Sequence, residues 1–456
     1  MHPRPPARAA GAAGARDARC GQRPGPLSAA SPVGAVLELE IGAVAAGGSC
    51  VGRADDGRVV FVRHTLPGER VRAVVTEGTA QRRYLRADAV SILRSSPDRV
   101  HPPCPYAGPG RCGGCDWQHA SRSAQRTLKA AVVSEALRRL AGLEHPVEVE
   151  ELPGAADGLG WRTRVSFTVG PDGEVGLRKH RSHEVQPVDA CRIAHESVES
   201  VGVERRRWPG VTAGEVIAAA ATGDRAVVVT PADPAAELAV PPLDAPAALL
   251  RGDGRGGATP VRGRAAVRET AAGRRWRVSG SGFWQVHPAA ADTLVAAVLA
   301  ALAPRPGETA LDLYAGVGLF AGALAPALAP GGGVVAVEAD PGAAADAAYN
   351  LRDLPSAEVA TGTVRAVLRR RRGRTVDLVV LDPPRAGAGP GLCRSLAGLR
   401  PRAVAYVACD PASLARDVAA FATVGYRLAG LRAFDLFPMT AHVECVALLT
   451  PVGAQP

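Results

Sequence analysis

Residues 403–417 read AVAYVACDPASLARD, an apolar run set directly against Cys409, Asp410 and Pro411. The run has the character of a buried strand, Asp410 is a natural helix N-cap, and Pro411 suits the first helical position. Cys409 is therefore expected at a helix N-terminus, where the dipole and free N–H groups favour a thiolate. Asp410 opposes that ionisation, and a nearby cation such as Arg385 would offset it. A thiolate so placed is a nucleophile for covalent catalysis. The plain alternative is a small side chain filling a core. Further on, FDLFPMTAHVECVALL offers Asp435, His442 and Glu444 as candidate bases. Glu444, inside the apolar run VECVALL, would be partly desolvated and have its pKa raised toward a useful range. A cap on a hairpin is the plain alternative there.

A cofactor pocket is legible nearby. In ALDLYAGVGLFAGALA a strand ending in Asp312, Leu313 and Tyr314 runs into Gly316, Val317 and Gly318 and then a helix. Glycines at such a turn let the backbone bend tightly and approach a ligand. The next strand, VVAVEAD, ends at Glu338, an acid placed to accept hydrogen bonds from ribose hydroxyls. A dinucleotide site would want G-x-G-x-x-G to bring a helix N-terminus onto a pyrophosphate. Here Leu319, Phe320 and Ala321 follow Gly318, Gly322 comes one place late, and no P-loop lysine follows. S-adenosylmethionine has a ribose and adenine but no phosphate, and is expected over a nicotinamide or flavin. In VVLDPPRAG, Asp382 stands at the C-terminal end of a strand, where open α/β sheets bind ligands. Two prolines stiffen that loop and leave Asp382 and backbone carbonyls free to hold an amide-like edge such as a nucleobase.

Methylation of a ring carbon is one reaction these groups suit. Carbon 5 of a uracil is a poor nucleophile, but a thiolate added to carbon 6 makes an enolate that can attack a methyl sulfonium. A base then removes the proton from carbon 5 so that the thiol is eliminated. Methylation of an exocyclic base nitrogen also uses D-P-P loops and needs no thiolate. A non-enzymatic RNA-binding protein with a vestigial pocket is the remaining alternative.

CPYAGPGRCGGCDWQH brings Cys104, Cys112 and Cys115 close in sequence, and Cys191 in DACRIAH supplies a fourth thiolate. Four thiolates can hold tetrahedral zinc or an iron–sulfur cluster. A zinc ribbon more often shows two C-x2-C pairs, whereas one pair with two scattered cysteines is commoner around a cluster. The compact C-x3-C-x2-C triad of radical enzymes is missing. Unligated buried cysteines are the plain alternative, although the surrounding glycines and prolines leave little core for them.

The elements that must position these residues follow from patterning. A chain of 456 residues exceeds the size of one core, so two or three domains are expected. Its 54 Lys and Arg against 44 Asp and Glu, net +10, point to a polyanionic partner. Nine cysteines in a chain this long do not form the even framework of a small secreted domain, and a reducing cytoplasm fits better. Residues 1–33, rich in Ala, Gly, Pro and Arg, are expected to be a disordered tail without the apolar region of a signal peptide. No charge-free run of about 18 apolar residues predicts a membrane span.

From 34 to 95, short alternating segments between Gly, Asp and Pro turns predict a small antiparallel barrel with recurring arginines, suited to nucleic acid. Residues 96–280 read as an α+β stretch: a helix in SAQRTLKAAVVSEALRRLAG, then strands in WRTRVSFTVG and GEVGLRKH. Residues 231–265 are expected as surface loops or a poorly packed insertion. From 281 to 456 strands alternate with helices, which predicts βαβ units and a parallel sheet.

GGSCVGRADDGRVVFVRHTLPGERVRA resembles the TRAM domain, an RNA-binding barrel attached to RNA-modifying enzymes. SGFWQVHP, LDLYAGVGLF, VVLDPPRAG, YVACDPASLARD and FPMTAHVE resemble, in order and spacing, the motifs of RNA 5-methyluridine methyltransferases of the TrmA/RlmD type. The likeness spans residues 34 to 450. It implies an α/β Rossmann-like, class I S-adenosylmethionine-dependent methyltransferase domain at 281–456. An OB-like TRAM barrel at 34–95 and an α+β central RNA-binding domain at 96–280 would precede it. It implies Cys409 as nucleophile and Glu444 as base. Gln285, Tyr314, Glu338 and Asp382 would contact cofactor or uracil beside the turn glycines Gly316 and Gly318. Cys104, Cys112, Cys115 and Cys191 would hold a [4Fe–4S] cluster in preference to zinc. A cytoplasmic, monomeric enzyme acting on RNA is implied, with 23S rRNA favoured over tRNA. His287 and Asp410 stand where the family usually has Asn, and Leu319 where the turn often continues with Asn. These departures leave every catalytic group in place and change the surroundings of the thiol and of the cofactor's methionine end.

Overall fold

The computed structural model describes residues 32–79, 81–280, 282–371 and 373–453. The expected tail at 1–33 lies outside the described residues but for its last two. No helix among the described residues is long and apolar enough to cross a membrane.

Strands Val36–Glu40, Cys50–Arg53, Val59–Arg63, Arg70–Glu77 and Tyr84–Arg94 form one curled sheet. Every second residue, among them Val60, Val62, Val71, Ala73, Val75, Leu85 and Ala87, turns into a shared core, as a period-two pattern requires. One pairing departs from the all-antiparallel expectation: Val59–Arg63 runs parallel to Tyr84–Arg94. The intervening strand Arg70–Glu77 pairs on the far side of Tyr84–Arg94, so the chain re-enters in the same direction. The barrel is docked on the segment that carries Arg99 and Trp117. Buried Glu69 accepts from Arg99 Nε at 2.6 Å and Nη2 at 2.7 Å, and Trp117 Nε1 donates to Gly48 O at 2.9 Å.

The middle of the chain is a seven-stranded sheet whose centre is Arg164–Val169, Val211–Ala218 and Arg225–Pro231. Residues 231–265, expected as loops, contribute two further strands, Ala248–Gly252 and Ala258–Arg262. Their Ala, Gly, Pro and Arg content carries little intrinsic strand preference. Pairing with Arg225–Pro231 and burial of Leu249 and Leu250 override it.

The C-terminal sheet has eight strands in the order Ala357–Thr361, Gly333–Glu338, Thr309–Leu313, Leu378–Leu381, Ala403–Ala408, Glu444–Pro451, Tyr426–Asp435, Val149–Glu151. The first five are parallel, and Leu378–Leu381 and Ala403–Ala408 are buried throughout, as strands covered by helices on both faces must be. Helices Ala290–Leu302 and Leu319–Leu328 pack on one face, and Val364–Arg370, Pro390–Ala397 and Pro411–Ala422 on the other. The helix Arg122–Ala136 and the strand Val149–Glu151 fall within the 96–280 stretch, yet they fold with this sheet: the helix packs on Pro411–Ala422 and the strand pairs with Tyr426–Asp435.

Candidate active site

All the chemistry-bearing residues except the cysteine group gather at the C-terminal edge of the parallel strands. The strand Thr309–Leu313 ends in Tyr314, which sits at φ +63°, a left-handed conformation uncommon for a bulky residue. Gly318 follows at φ +90° and caps the helix Leu319–Leu328, and a Cβ there would stand 3.1 Å from Leu351 Cδ1. Only glycine gives that turn both its conformation and its close approach to the next helix. Gly316 N–H donates to Glu338 Oε2 at 2.8 Å, and Glu338 Oε1 accepts from Ala339 N at 2.6 Å and Asp340 N at 2.8 Å. Glu338 thus locks the turn to the end of the neighbouring strand while remaining half-buried at the pocket.

Asp312 is a site residue that sequence reasoning does not single out. It is fully buried, its Oδ2 accepts from Ala321 N at 2.8 Å, and its Oδ1 has no partner among the described residues. Burial, with Asp382 and Glu338 nearby, pushes its carboxyl up to about 7, and burial does the same to Asp382. Acids crowded in this way favour a cationic ligand, which restores their ionised forms. The turn without side chains, the acid at the second strand's end and the orphaned Asp312 oxygen fit a nucleoside joined to a positive sulfonium. Gln285 lies half-buried on the loop before Ala290–Leu302, with no hydrogen bond among the described residues. His287 is buried, stacks on Trp161 at 6.1 Å, and accepts from Ala289 N at 3.2 Å through Nδ1. An Asn at this position could accept the same backbone N–H.

Cys409 follows the strand Ala403–Ala408 and precedes the helix Pro411–Ala422, whose N-cap Asp410 accepts from Ser413 N at 2.7 Å. Glu444 arrives from the opposite direction. The strand Glu444–Pro451 is antiparallel to Ala403–Ala408, with Ala408 paired to Cys445, so the next step of the register sets Glu444 against Cys409. Burial pushes the Cys409 thiol up to about 11, Glu444 and Asp382 add to it, and Arg385 opposes. From sequence, Asp410 is the group expected to oppose ionisation; Glu444 holds that place, because Asp410 is turned into its cap. Burial, then Asp382, holds the Glu444 carboxyl well above its ordinary range, with Arg385 opposing. Both shifts favour the uncharged forms of the thiol and of the acid that faces it.

His442 lies in the loop before Glu444, its ring set edge-on to Phe437 at 6.0 Å, and burial, then Arg385, lowers the pKa of its imidazole. That loop is clamped from below. Lys129 Nζ, fully buried on the helix Arg122–Ala136, donates to Asp435 Oδ1 at 2.5 Å and to Phe437 O at 3.0 Å. Gln125 Oε1 accepts from Met439 N at 2.9 Å, Asp116 N and Trp117 N both donate to Met439 O at 3.0 Å, and Ala441 N donates to Asp116 Oδ2 at 3.0 Å. Sequence reasoning misses this scaffold. A lysine among the buried apolar positions of TLKAAVV is the one available signal, since a buried lysine requires a partner. Cys409, Arg385 and His442 open into a cleft of about 1540 Å³ whose other walls include Arg53 and Phe61 of the barrel and His180.

Cys104, Cys112, Cys115 and Cys191 stand apart from this edge, around a second cavity of about 690 Å³. All four are free thiols. Gly113 lets the segment press on the central sheet, since a Cβ there would meet His180 Cα at 2.7 Å. Burial raises the Cys112 and Cys115 thiols and pushes Cys191 up to about 11, each also feeling other members of the group. Among the described residues no three His, Cys, Asp or Glu side chains are arranged to hold a metal ion.

A family model described as the TRAM domain matches residues 30–90, and one described as tRNA (Uracil-5-)-methyltransferase matches residues 367–452. The chain is 54% identical over 434 residues to an uncharacterised RNA methyltransferase of Streptomyces coelicolor, a match covering 93% of this chain and 94% of that one. It is 36% identical over 442 residues to the 23S rRNA (uracil(1939)-C(5))-methyltransferase RlmD of Chromohalobacter salexigens, covering 90% of this chain and 89% of that one. The crystal structure of Pyrococcus abyssi tRNA (uracil-54, C5)-methyltransferase in complex with S-adenosyl-L-homocysteine superposes with a TM-score of 0.69 at 24% identity, covering 91% of this chain and 100% of that one. That last likeness is one of fold.

Proposed function

The chain belongs to the RNA uracil-C5 methyltransferase family, and from that membership we propose that it makes 5-methyluridine in 23S rRNA through a covalent adduct on Cys409. It is an S-adenosylmethionine-dependent RNA methyltransferase with an N-terminal TRAM domain. The single observation that carries the mechanism is the antiparallel register that sets Glu444 against Cys409 at the end of Ala403–Ala408.

S-adenosylmethionine supplies an electrophilic methyl group on a positive sulfonium, and Tyr314, Gly316, Gly318, Glu338 and Asp312 are the residues that would hold it. Cys409, its proton passed to solvent in the open cleft, adds as the thiolate to carbon 6 of the uracil, forming the C6–S bond and moving the C5–C6 π pair onto carbon 5 and the ring carbonyl. Arg385 favours the thiolate. Asp382 and Gln285 hold the amide edge of the flipped base. Once carbon 5 carries the methyl group, ionised Glu444 takes the remaining proton from it, the C6–S bond breaks, and Cys409 leaves. The barrel and the central sheet grip the flanking RNA across the shared cleft, where Arg53 and Phe61 offer a cation and a stacking face.

The 36% identical relative named for 23S rRNA supports the choice of substrate. Mapping 5-methyluridine in total RNA with and without the gene tests it: loss of one 23S rRNA mark is expected, and loss of a tRNA mark with rRNA unchanged would replace rRNA by tRNA. We further read the four cysteines as ligands of a [4Fe–4S] cluster. One C-x2-C pair with two scattered cysteines is the spacing commoner around a cluster than in a zinc ribbon, and all four thiols line one cavity. Such a cluster would hold the segment that carries Asp116 against the loop of His442. Anaerobically purified protein is expected to contain iron and acid-labile sulfide in equal amounts, and zinc alone would overturn this assignment. The division into a barrel at 34–95, a central part at 96–280 and a catalytic part at 281–456 belongs to the same reading.

A further inference from the structure

The edge of the catalytic sheet opposite Cys409 carries charge that the reaction does not use. The strands Leu378–Leu381 and Ala403–Ala408 begin there, and their lead-ins are tied together: Val376 N donates to Leu399 O at 3.1 Å and Arg402 N to Asp377 O at 2.9 Å. Around them stand Arg369 and Arg370 at the end of Val364–Arg370, Arg374 just after it, Arg394 in the last turn of Pro390–Ala397, and Arg400 just before Ala403–Ala408. All five are exposed, and none forms an ion pair among the described residues. The carboxylates at this edge are engaged elsewhere: Glu308 binds Arg402 at 2.5 and 2.7 Å, and Asp377 accepts from Thr309 N at 2.8 Å and Oγ1 at 2.9 Å. Exposed Glu358 pairs with none of the five.

Helix C-termini attract cations in their last turn, which accounts for Arg369, Arg370 and Arg394. It does not reach Arg374 or Arg400, which lie outside helices. Like charges gathered without acids repel one another until a polyanion neutralises them. The six residues of Ala403–Ala408, at about 3.3 Å each, separate this edge from Cys409 by roughly 20 Å, so a nucleotide held at Cys409 does not also touch these arginines.

We propose that the five arginines form a second RNA-backbone site on the far edge of the catalytic sheet, which grips a stretch of the substrate remote from the target uridine and so selects large folded RNA over short RNA. This rests on the reading of the chain as an RNA methyltransferase. The test is the triple variant R369E/R370E/R374E, with the triple alanine as a milder partner, since all three side chains are exposed and neither set disturbs a core. For a 23S rRNA transcript, KM for methyl transfer is expected to rise about tenfold or more with kcat unchanged. The slope of log affinity against log salt should become shallower by about 2 to 3, at roughly 0.9 for each phosphate no longer neutralised. Binding of the dinucleotide UpU, too short to reach both edges, should stay as in the wild type. Unchanged slope and KM would overturn the proposal, as would UpU binding that falls in step. If wild-type protein transfers no methyl to the transcript, the rRNA reading fails, while the salt slope with the same RNA still decides the patch.

Discussion

Cys409→Ala is expected to remove methyl transfer almost entirely, by on the order of 10⁴-fold or more, the scale on which losing a catalytic nucleophile is felt. It should leave S-adenosylmethionine binding close to wild type, because the cofactor turn at Tyr314 to Gly318 and the lock at Glu338 lie on other strands. The variant should also fail to form a stable adduct with RNA containing 5-fluorouridine, whose fluorine cannot leave as a proton. Gel mobility under denaturing conditions and calorimetry with the cofactor read the two halves of this expectation. Retained activity would point instead to methylation of an exocyclic nitrogen, for which a thiolate is unnecessary. The wild type should show a further sign. With the Cys409 thiol pushed up to about 11 by burial and then by Glu444, the ionised fraction grows through the alkaline range, so adduct formation should quicken as pH rises from neutrality.

What could be read from the sequence was local. Asp410 and Pro411 announce a helix start immediately after an apolar run, and the structure has a strand, Cys409, and a helix in that order. Gly316 and Gly318 announce the turn that both positive φ values require. What could not be read depends on partners far along the chain. Lys129 and Asp435 are 306 positions apart, and nothing near either residue names the other. Val149–Glu151 joins the catalytic sheet through Ala433, Phe434 and Asp435, which no short window contains. The same limit explains Ala248–Gly252, whose composition reads as loop until a neighbouring strand buries it. It also explains the thiol. Asp410 adjoins Cys409 in sequence but is spent on Ser413 N, while Glu444, far off in sequence, is brought opposite by the antiparallel pairing of Glu444–Pro451 with Ala403–Ala408.

Glu444→Gln is expected to separate the two halves of the reaction. Addition of Cys409 and methylation need no base at Glu444, whereas removal of the carbon 5 proton does, so methylated RNA should accumulate joined to Cys409. The turnover rate should fall by about 10² to 10⁴, the contribution usual for a positioned base, and a denaturant-stable complex should appear with ordinary uridine RNA. Turnover at the wild-type rate without such a complex would move the base to His442 or elsewhere. The same substitution makes a prediction about stability. Burial and Asp382 raise the folded carboxyl of Glu444 far above the value of about 4.3 that an unfolded glutamate has. Its contribution is therefore fully present below that unfolded value and is lost as pH rises through the folded one, because the unfolded chain gives up the proton first. Asp312 and Asp382, each near 7, titrate in the same sense. The wild-type melting temperature should thus decline from weakly acid toward alkaline pH, and Glu444→Gln should decline less. The stability lost as this carboxyl ionises is the physical counterpart of its readiness to take a proton.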